Sequence, residues 1–321
     1  MILSQQAKIP VRVTGVERVT PSIKTFTFER EDSAPLPSFS GGSHIVVEMR
    51  GGERTYRNPY SLMSPPEDYP SAYQISVRCD DQGRGGAQYM HERVREGDEM
   101  TISGPANLFP LTVTAPRHVL IAGGIGITPF LAQLHELRQR GLAYELHYQY
   151  RDAEGAAFRD RLAARFGDQT RFYESGRDQY VDPTAILADQ PLGTHAYVCG
   201  PAGLTQAVHE AAAELGWPAR NVHSEEFAAP PPGKPFKVVL ERSQREVEVP
   251  ANASALEAIE EAGIQPSCSC RGGSCGQCEQ TVLEGDIDHN DHFLSDEAKA
   301  RNSSMMICVS RARSDRVVLD L

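Results

Sequence analysis

The chain has 321 residues, 40% of them apolar, and 43 Asp and Glu against 32 Lys and Arg give a formal net charge of −11. That length suits two or three domains, and the acidic balance argues against nucleic acid, which calls for a basic face. No apolar run approaches the roughly 18 residues of a membrane span, and MILSQQAKIPVRV at the start lacks the charged-then-apolar layout of a secretory leader, so the reading is a cytoplasmic protein with no membrane partner.

Residues 1–112 read as an all-β unit. VRVTGVERV, IKTFTFER, HIVVEMR, AYQISVRC and DEMTISG alternate or run β-branched, with Gly, Pro and Ser between them. Short strands at such spacing predict an antiparallel barrel. One short helix is expected near AQYMHERV (87–94). Two stretches carry cofactor chemistry. RNPYS (57–61) sets an aromatic beside hydroxyl and cationic groups, a set suited to a flavin ring. GRGGA (83–87) places a glycine-flanked arginine before the helix, which suits a terminal phosphate.

Residues 113–229 alternate strand and helix, which predicts a parallel α/β sheet. HVLIAGG is a buried-type strand. Thr128 before Pro129 reads as an N-cap followed by proline at the first helical position. Gly141 closes that helix as a C-terminal cap. AYELHYQY, TRFYES and HAYVCG are further strands. AGGIGITP (122–129) and CGPAG (199–203) each follow a strand and open a helix. Gly123, Gly124, Gly126, Thr128 and Pro129 in the first loop, with Cys199, Gly200 and Pro201 in the second, therefore frame a dinucleotide crevice. No acid stands at the usual distance to read the ribose. Asp152 is the substitute offered, Arg171 and Arg177 leave NADPH open, and NADH is the reading adopted.

AAPPPGKP (228–235) is proline-rich and reads as a semi-rigid linker, drawn at 230–236. The last unit, 237–321, opens with a hairpin, FKVVLE and REVEVP. Ser254 and Glu257 match a capping box opening a helix. EQTVLEG, MMICVSR and RVVLDL are the remaining strands.

Five of the seven cysteines lie within 268–308. In a reducing compartment such a cluster binds metal or does redox work more often than it forms disulfides. Cys270, Cys275 and Cys278 have the spacing C-x4-C-x2-C, and Cys308 stands further on, which is the plant-type [2Fe–2S] ligand pattern. Structural zinc prefers two paired short spacings, and only one is present. Cys268 would break the spacing and reads as a bystander thiol, and Cys79 as a small core residue. His44, His91 and His289 read as surface or packed residues.

Taken together, the three units resemble the phthalate dioxygenase reductase family, the reductase components of Rieske-type oxygenases. RNPYS, GRGG, GGIGITP, CGP, the cysteine set and the ending CVSRARSDRVVLDL fall in the family's order over nearly the whole chain. The resemblance implies an FMN-binding β-barrel, an NAD-binding α/β domain and a β-grasp ferredoxin-like domain. It also implies FMN, NADH and a [2Fe–2S] cluster, with a terminal oxygenase as protein partner. By it Tyr60 and Ser61 lie against the flavin, and Arg84, Gly85 and Gly86 hold the FMN phosphate. Thr128 touches the flavin or nicotinamide edge, Cys199 lies near the nicotinamide, and Phe227 of HSEEF sits by the flavin. Ser61, Thr128, Cys199 and Phe227 are thus the implied catalytic set. The family usually has arginine two residues before the tyrosine. Here Asn58 stands there and Arg57 one residue earlier, so both are kept as flavin-site candidates. Ala87 stands where serine is common.

The implied activity is electron splitting, from a two-electron hydride donor to a one-electron cluster. Two rivals stay open at this point. A stand-alone NAD(P)H-dependent flavin reductase or diaphorase needs the first two units only. A metal-stabilised interaction module needs only the third. Residues 237–321 carry nine Lys and Arg against fifteen Asp and Glu, an acidic surface able to steer a basic partner.

Overall fold

In strand β1 (Lys8–Thr20) Ile9, Val11 and Val13 are buried while Lys8, Pro10 and Arg12 face outwards, the period of two that half-buries a strand. The same alternation builds an antiparallel sheet with β2 (Ile23–Arg30), β3 (Ser43–Gly51), β4 (Arg54–Ser61), β5 (Ala72–Arg78), β6 (Glu99–Ser103) and the short β7 (Ala106–Asn107). Its order is β4-β3-β6-β1-β2-β5, with β7 beside β3, and its ends β4 and β5 approach each other as a barrel requires. Helix α1 (Gly86–Glu92) packs against β3, β4 and β5. The computed structural model describes residues 8–52, 54–66, 70–79, 83–227 and 232–321. Strand β4 is missing from the sequence reading because Asn58 and Pro59 are poor strand formers. The proline is tolerated because β4 is the end strand of the hydrogen-bonded order.

The second unit is a five-stranded parallel sheet. Its elements are β8 (Arg117–Gly123), α2 (Thr128–Gln139), β9 (Ala143–Tyr150), α3 (Arg159–Phe166), β10 (Thr170–Glu174), α4 (Pro183–Ala188), β11 (His195–Cys199), α5 (Ala202–Glu214) and β12 (Val222–Glu225). The strand order β10-β9-β8-β11-β12 reverses direction of travel between β8 and β11, which makes their carboxyl ends the switch point where ligands bind in such sheets. Helix α2 ends as read: Gly141 has φ +65, its N–H donates to Arg138 O, and Leu142 N–H reaches back to Leu137 O, a Schellman closure. Its start differs. A 3₁₀ turn, Gly124–Ile127, runs straight into α2, so Thr128 is already helical. Its hydroxyl donates to Ile125 O at 3.0 Å instead of capping.

The third unit is a mixed sheet of order β14-β13-β19-β15-β17. It comprises β13 (Phe236–Leu240), β14 (Arg245–Val249), α6 (Ala255–Glu261), β15 (Glu279–Glu284), β16 (Ile287–Asp288), α7 (Asp296–Arg301), β17 (Ser304–Met306), β18 (Arg311–Ala312) and β19 (Arg316–Leu319). Parallel pairing of β13 with β19, and α6 packed through Leu256 and Ile259 on Val238, Val247 and Val317, give a β-grasp. The expected capping box is present: Ser254 Oγ accepts from Glu257 N, and Glu257 Oε2 accepts from Ser254 N at 2.9 Å. MMICVSR is not a strand throughout. β17 stops at Met306, and the turn bonds Val309 N to Met306 O and Ser310 N to Met306 O carry Cys308 off the sheet. Of the linker, residues 228–231 lie outside the described residues. Among the described residues no helix is long and apolar enough to cross a membrane.

Candidate functional site

The two glycine loops lie side by side at the carboxyl ends of β8 and β11. A Cβ on Gly126 would stand 2.2 Å from Cys199 O, and one on Gly123 would stand 2.6 Å from Pro201 Cδ. These two glycines therefore serve first to let one loop pack on the other. Gly124, in the left-handed region at φ +56, has nothing within 4 Å of its Cβ position and leaves the face of the 3₁₀ turn open. That open face beside Gly200 and Pro201 fits a pyrophosphate better than a closed glycine cradle. Asp152 stands beyond the end of β9, where its Oδ1 accepts from Gly155 N at 2.8 Å, and Arg177 pairs with Glu174 at 3.2 Å.

Beside this crevice the barrel and the parallel sheet meet. Ser61, buried at the end of β4, donates from Oγ to Glu225 Oε2 at 3.5 Å. Glu225 ends β12, and in the register of the sheet it pairs with Cys199 of β11. Burial pushes the Glu225 carboxyl up to about 8, against the opposing hydrogen bond from Ser61. The Cys199 thiol is pushed well up too, by burial first and then by Glu225 and Glu226. Both groups are therefore uncharged near neutrality. Phe227 follows two residues later, half-exposed. Tyr60 packs on the barrel core, and its hydroxyl accepts from Asn58 Nδ2 at 3.2 Å.

At the other end of β4, the GRGG segment turns into α1 through Gly85 at φ +99. A Cβ on Gly86 would meet Asn58 Nδ2 at 2.5 Å, so loop and strand are tightly seated. Arg84 is the notable group. Its Nε is buried and, among the described residues, has no hydrogen-bond partner. Its guanidinium is pushed down to about 10 by burial, then by the neighbouring charges of Arg54, Arg311 and Arg271. Such a concentration of buried cations fits a phosphate. Arg84 also contacts the Glu257 carboxylate of α6. Arg57 faces elsewhere, to Glu48 at 3.2 Å and Glu260 at 3.4 Å.

The cysteine side chains of the third unit lie beside one another in pairs. Cys270 interacts with Cys275 and with Cys308, and Cys308 also with Cys278. Hydrogen bonds from Cys275 and Cys308 lower the Cys270 thiol, while those two are raised in turn. Four soft thiols side by side, Cys278 and Cys308 buried and Cys270 and Cys275 half-buried, are a donor set that fits a thiolate-bound iron–sulfur centre. The loop around them is shaped by glycine. Gly273 (φ +77) has Val309 Cγ2 2.6 Å from its Cβ position, and Gly276 (φ +76) has Phe293 Cζ at 2.3 Å. Gly272 N–H points at Cys270 Sγ at 3.4 Å. Cys268 Sγ accepts from Arg271 Nη2 at 3.6 Å, and its thiol is raised by burial first and also by Glu260 and Cys278.

Comparison with known proteins decides the family. The chain superposes on a solved structure of phthalate dioxygenase reductase, described as a modular structure for electron transfer from pyridine nucleotides to [2Fe–2S], with a TM-score of 0.88, 34% identity and 98% of each chain covered. The chain belongs to the phthalate dioxygenase reductase family. Residues 238–313 of this reductase match the 2Fe-2S iron-sulfur cluster binding domain, and residues 107–222 match the N-terminal domain of the dimethylamine monooxygenase subunit DmmA-like family. It is 47% identical to the carnitine monooxygenase reductase subunit of Acinetobacter baumannii, covering 99% of both chains. It is 46% identical to the heme-dependent oxidative N-demethylase beta subunit of Ectopseudomonas mendocina, over 98% of this chain and 99% of that one. The protein is an NADH-dependent flavin and iron–sulfur oxidoreductase whose relatives are reductase subunits of oxygenase systems.

Glu225 was missed by the sequence reading of this reductase. HSEEF offers two adjacent acids, and only the pairing of β12 with β11 selects the one facing Ser61. His44, read as a surface or packed histidine, is packed: it is buried on β3 opposite Ser61, and its Nε2 has no partner among the described residues.

Proposed function

We propose that this chain carries electrons from NADH, through FMN seated between barrel and parallel sheet, to a [2Fe–2S] cluster on Cys270, Cys275, Cys278 and Cys308, and on to a terminal oxygenase. The observation that carries the reading is the proximity of the two sites. Arg57 of β4, three residues before Tyr60, and Arg271, next to Cys270, share the Glu260 carboxylate at 3.4 and 3.1 Å. Bound FMN and the cluster would supply the redox chemistry, a hydride taken up as a pair and electrons released singly.

The chain's own residues do the rest. Arg84, with the Gly85–Gly86 turn, would anchor the phosphate, while Tyr60 and Ser61 orient the ring and Phe227 covers it. The open face of Gly124 and the Gly200–Pro201 turn receive the dinucleotide, with Thr128 and Pro129 beginning the helix behind it. Glu225, uncharged near neutrality, holds a proton on its carboxyl next to Ser61 Oγ. Cys199, also uncharged, packs the floor without adding a charge that would need solvent. The units run 1–112, 113–229 and 237–321, with the 230–236 linker between the second and third, and the compartment is the cytoplasm, where free thiols persist.

For the oxygenase, the two relatives at 47% and 46% identity are subunits of a carnitine monooxygenase and of an oxidative N-demethylase. They support a partner that oxidises a carbon bound to nitrogen. The test is direct. The purified protein should show flavin and iron–sulfur absorbance, and NADH should drive turnover of an added oxygenase of that class. A colourless protein free of flavin and iron would defeat the whole reading.

A further inference from the structure

Helix α6 carries Glu257, Glu260 and Glu261 at i, i+3 and i+4, which gathers three carboxylates on one side. That side faces the arginines of β4. Arg54 Nη2 lies 3.3 Å from Glu257 Oε2, and Arg57 Nη1 lies 3.4 Å from Glu260 Oε2. Glu260 has a second partner within its own unit. Its Oε2 accepts from Arg271 Nη1 at 3.1 Å and its Oε1 accepts from Arg271 Nη2, a two-pronged contact. Arg271 directly follows Cys270 and has left-handed backbone, φ +53. A non-glycine residue keeps that conformation only when its surroundings hold it. On the far side Arg57 is tied to Glu48 of β3 at 3.2 Å.

We propose that Glu260 is a positioning residue for electron transfer: its single carboxylate ties the cluster loop, through Arg271, to the flavin barrel, through Arg57, and so sets the gap that the electron crosses. This rests on the functional reading above. Exposed ion pairs contribute little, but here the side chains of Arg57, Glu260 and Arg271 keep only 20%, 11% and 9% of their exposure. Charges alternate along the chain Glu48, Arg57, Glu260, Arg271, so each has a compensating neighbour. Removing Glu260 leaves Arg271 buried without its carboxylate, while Arg57 keeps only Glu48. The step concerned moves one electron from the reduced flavin to the oxidised cluster. No bond forms or breaks in it, and two such transfers follow each hydride.

The experiment is stopped-flow reduction of the holoprotein by NADH, with flavin and cluster followed at separate wavelengths, in wild type and Glu260→Gln. Loss of a negative charge near the cluster raises its potential, and driving force alone would then speed the transfer. A positioning role predicts the reverse, a lower flavin-to-cluster rate, with the hydride step and the oxidised cluster spectrum unchanged. A rate that is unchanged or faster, beside a raised potential, overturns the proposal. Should Glu260→Gln fail to assemble its cluster, Arg57→Lys decides. Lysine lacks the fork to serve Glu48 and Glu260 together, while the Arg271–Glu260 pair stays intact. Expressed per flavin-loaded molecule, its flavin-to-cluster rate should also fall, and a wild-type rate overturns the clamp. Wild-type protein without flavin or iron would sink the functional reading instead, so the two failures are distinct.

Discussion

Ser61 and Glu225 meet across the boundary of two sheets, the serine at the end of β4 donating to the carboxyl at the end of β12 over 3.5 Å. Neither residue belongs to the other's unit, so the pair exists only while barrel and parallel sheet are docked. Burial raises the Glu225 pKa from 4.5 to about 8, and the sign of its effect on stability follows. The folded state holds the proton more tightly than the unfolded one, so the contribution is complete below about pH 4.5 and is lost as pH rises to about 8. The loss amounts to at most about 1.4 kcal/mol per pH unit. Thermal unfolding of flavin-free protein from pH 5 to 9 should show this decline in wild type and not in Glu225→Gln. Parallel curves for the two proteins would mean that the carboxyl is already ionised when folded.

The nucleotide loops make a contrast that two alanine substitutions can read. Gly126→Ala drives a methyl against the Cys199 carbonyl at 2.2 Å, and backbone cannot step aside as a side chain does. The expected cost is about 1–3 kcal/mol of stability, together with a raised KM for NADH as the crevice is forced open. Gly124→Ala meets no protein atom within 4 Å and costs only the strain of φ +56, about 1–2 kcal/mol, but its methyl stands on the open face proposed for the dinucleotide. Its KM for NADH should therefore rise too, with Cys199 and its loop left in place. Chemical denaturation and NADH titration of both variants check this, and an unchanged KM in Gly124→Ala would move the dinucleotide off that face.

Architecture was legible because each unit carries a local signal: period two in β1, buried runs in β8, a capping box at Ser254, and C-x4-C-x2-C in the cysteine loop. What escaped the sequence depends on contacts between units. Arg57, read as a flavin residue, turns its guanidinium to Glu48 and Glu260, the latter 203 positions away. Glu257 reads as a helix cap and is one, yet the same carboxylate reaches Arg54 and Arg84 of the barrel. Thr128 fits an N-cap by local rule, but the preceding 3₁₀ turn already supplies the first helical geometry. A capping rule sees four residues, whereas these outcomes are fixed by partners far along the chain.

Arg84 should govern flavin retention. Its buried Nε is without a partner among the described residues, and Arg54, Arg271 and Arg311 add to the positive field. Replacing it by glutamine removes a charge-assisted contact to the phosphate, worth about 1.5–3 kcal/mol, or roughly ten- to a hundredfold in Kd for FMN. Riboflavin, which has no phosphate, should lose little affinity in the same variant. Flavin fluorescence titration measures both, and an equal loss for FMN and riboflavin would place the phosphate elsewhere.

The sharpest separation of readings lies within one loop. Cys268 and Cys270 are two residues apart, but only Cys270 joins the network with Cys275 and Cys308. Cys268 faces Arg271 and Glu260 instead. Serine at Cys268 should therefore keep the iron content and the visible spectrum of the cluster. Serine at Cys308 removes a thiolate that the turn after β17 brings in from thirty residues beyond Cys278, and should cost most of the iron. Serine at Cys275 should abolish reduction of an added oxygenase while NADH still reduces the flavin. A stand-alone flavin reductase would keep its full activity in that variant. Iron analysis, the visible spectrum and oxygenase reduction, measured on all three variants, distinguish these outcomes, and loss of the cluster on Cys268→Ser would move the first ligand to that position.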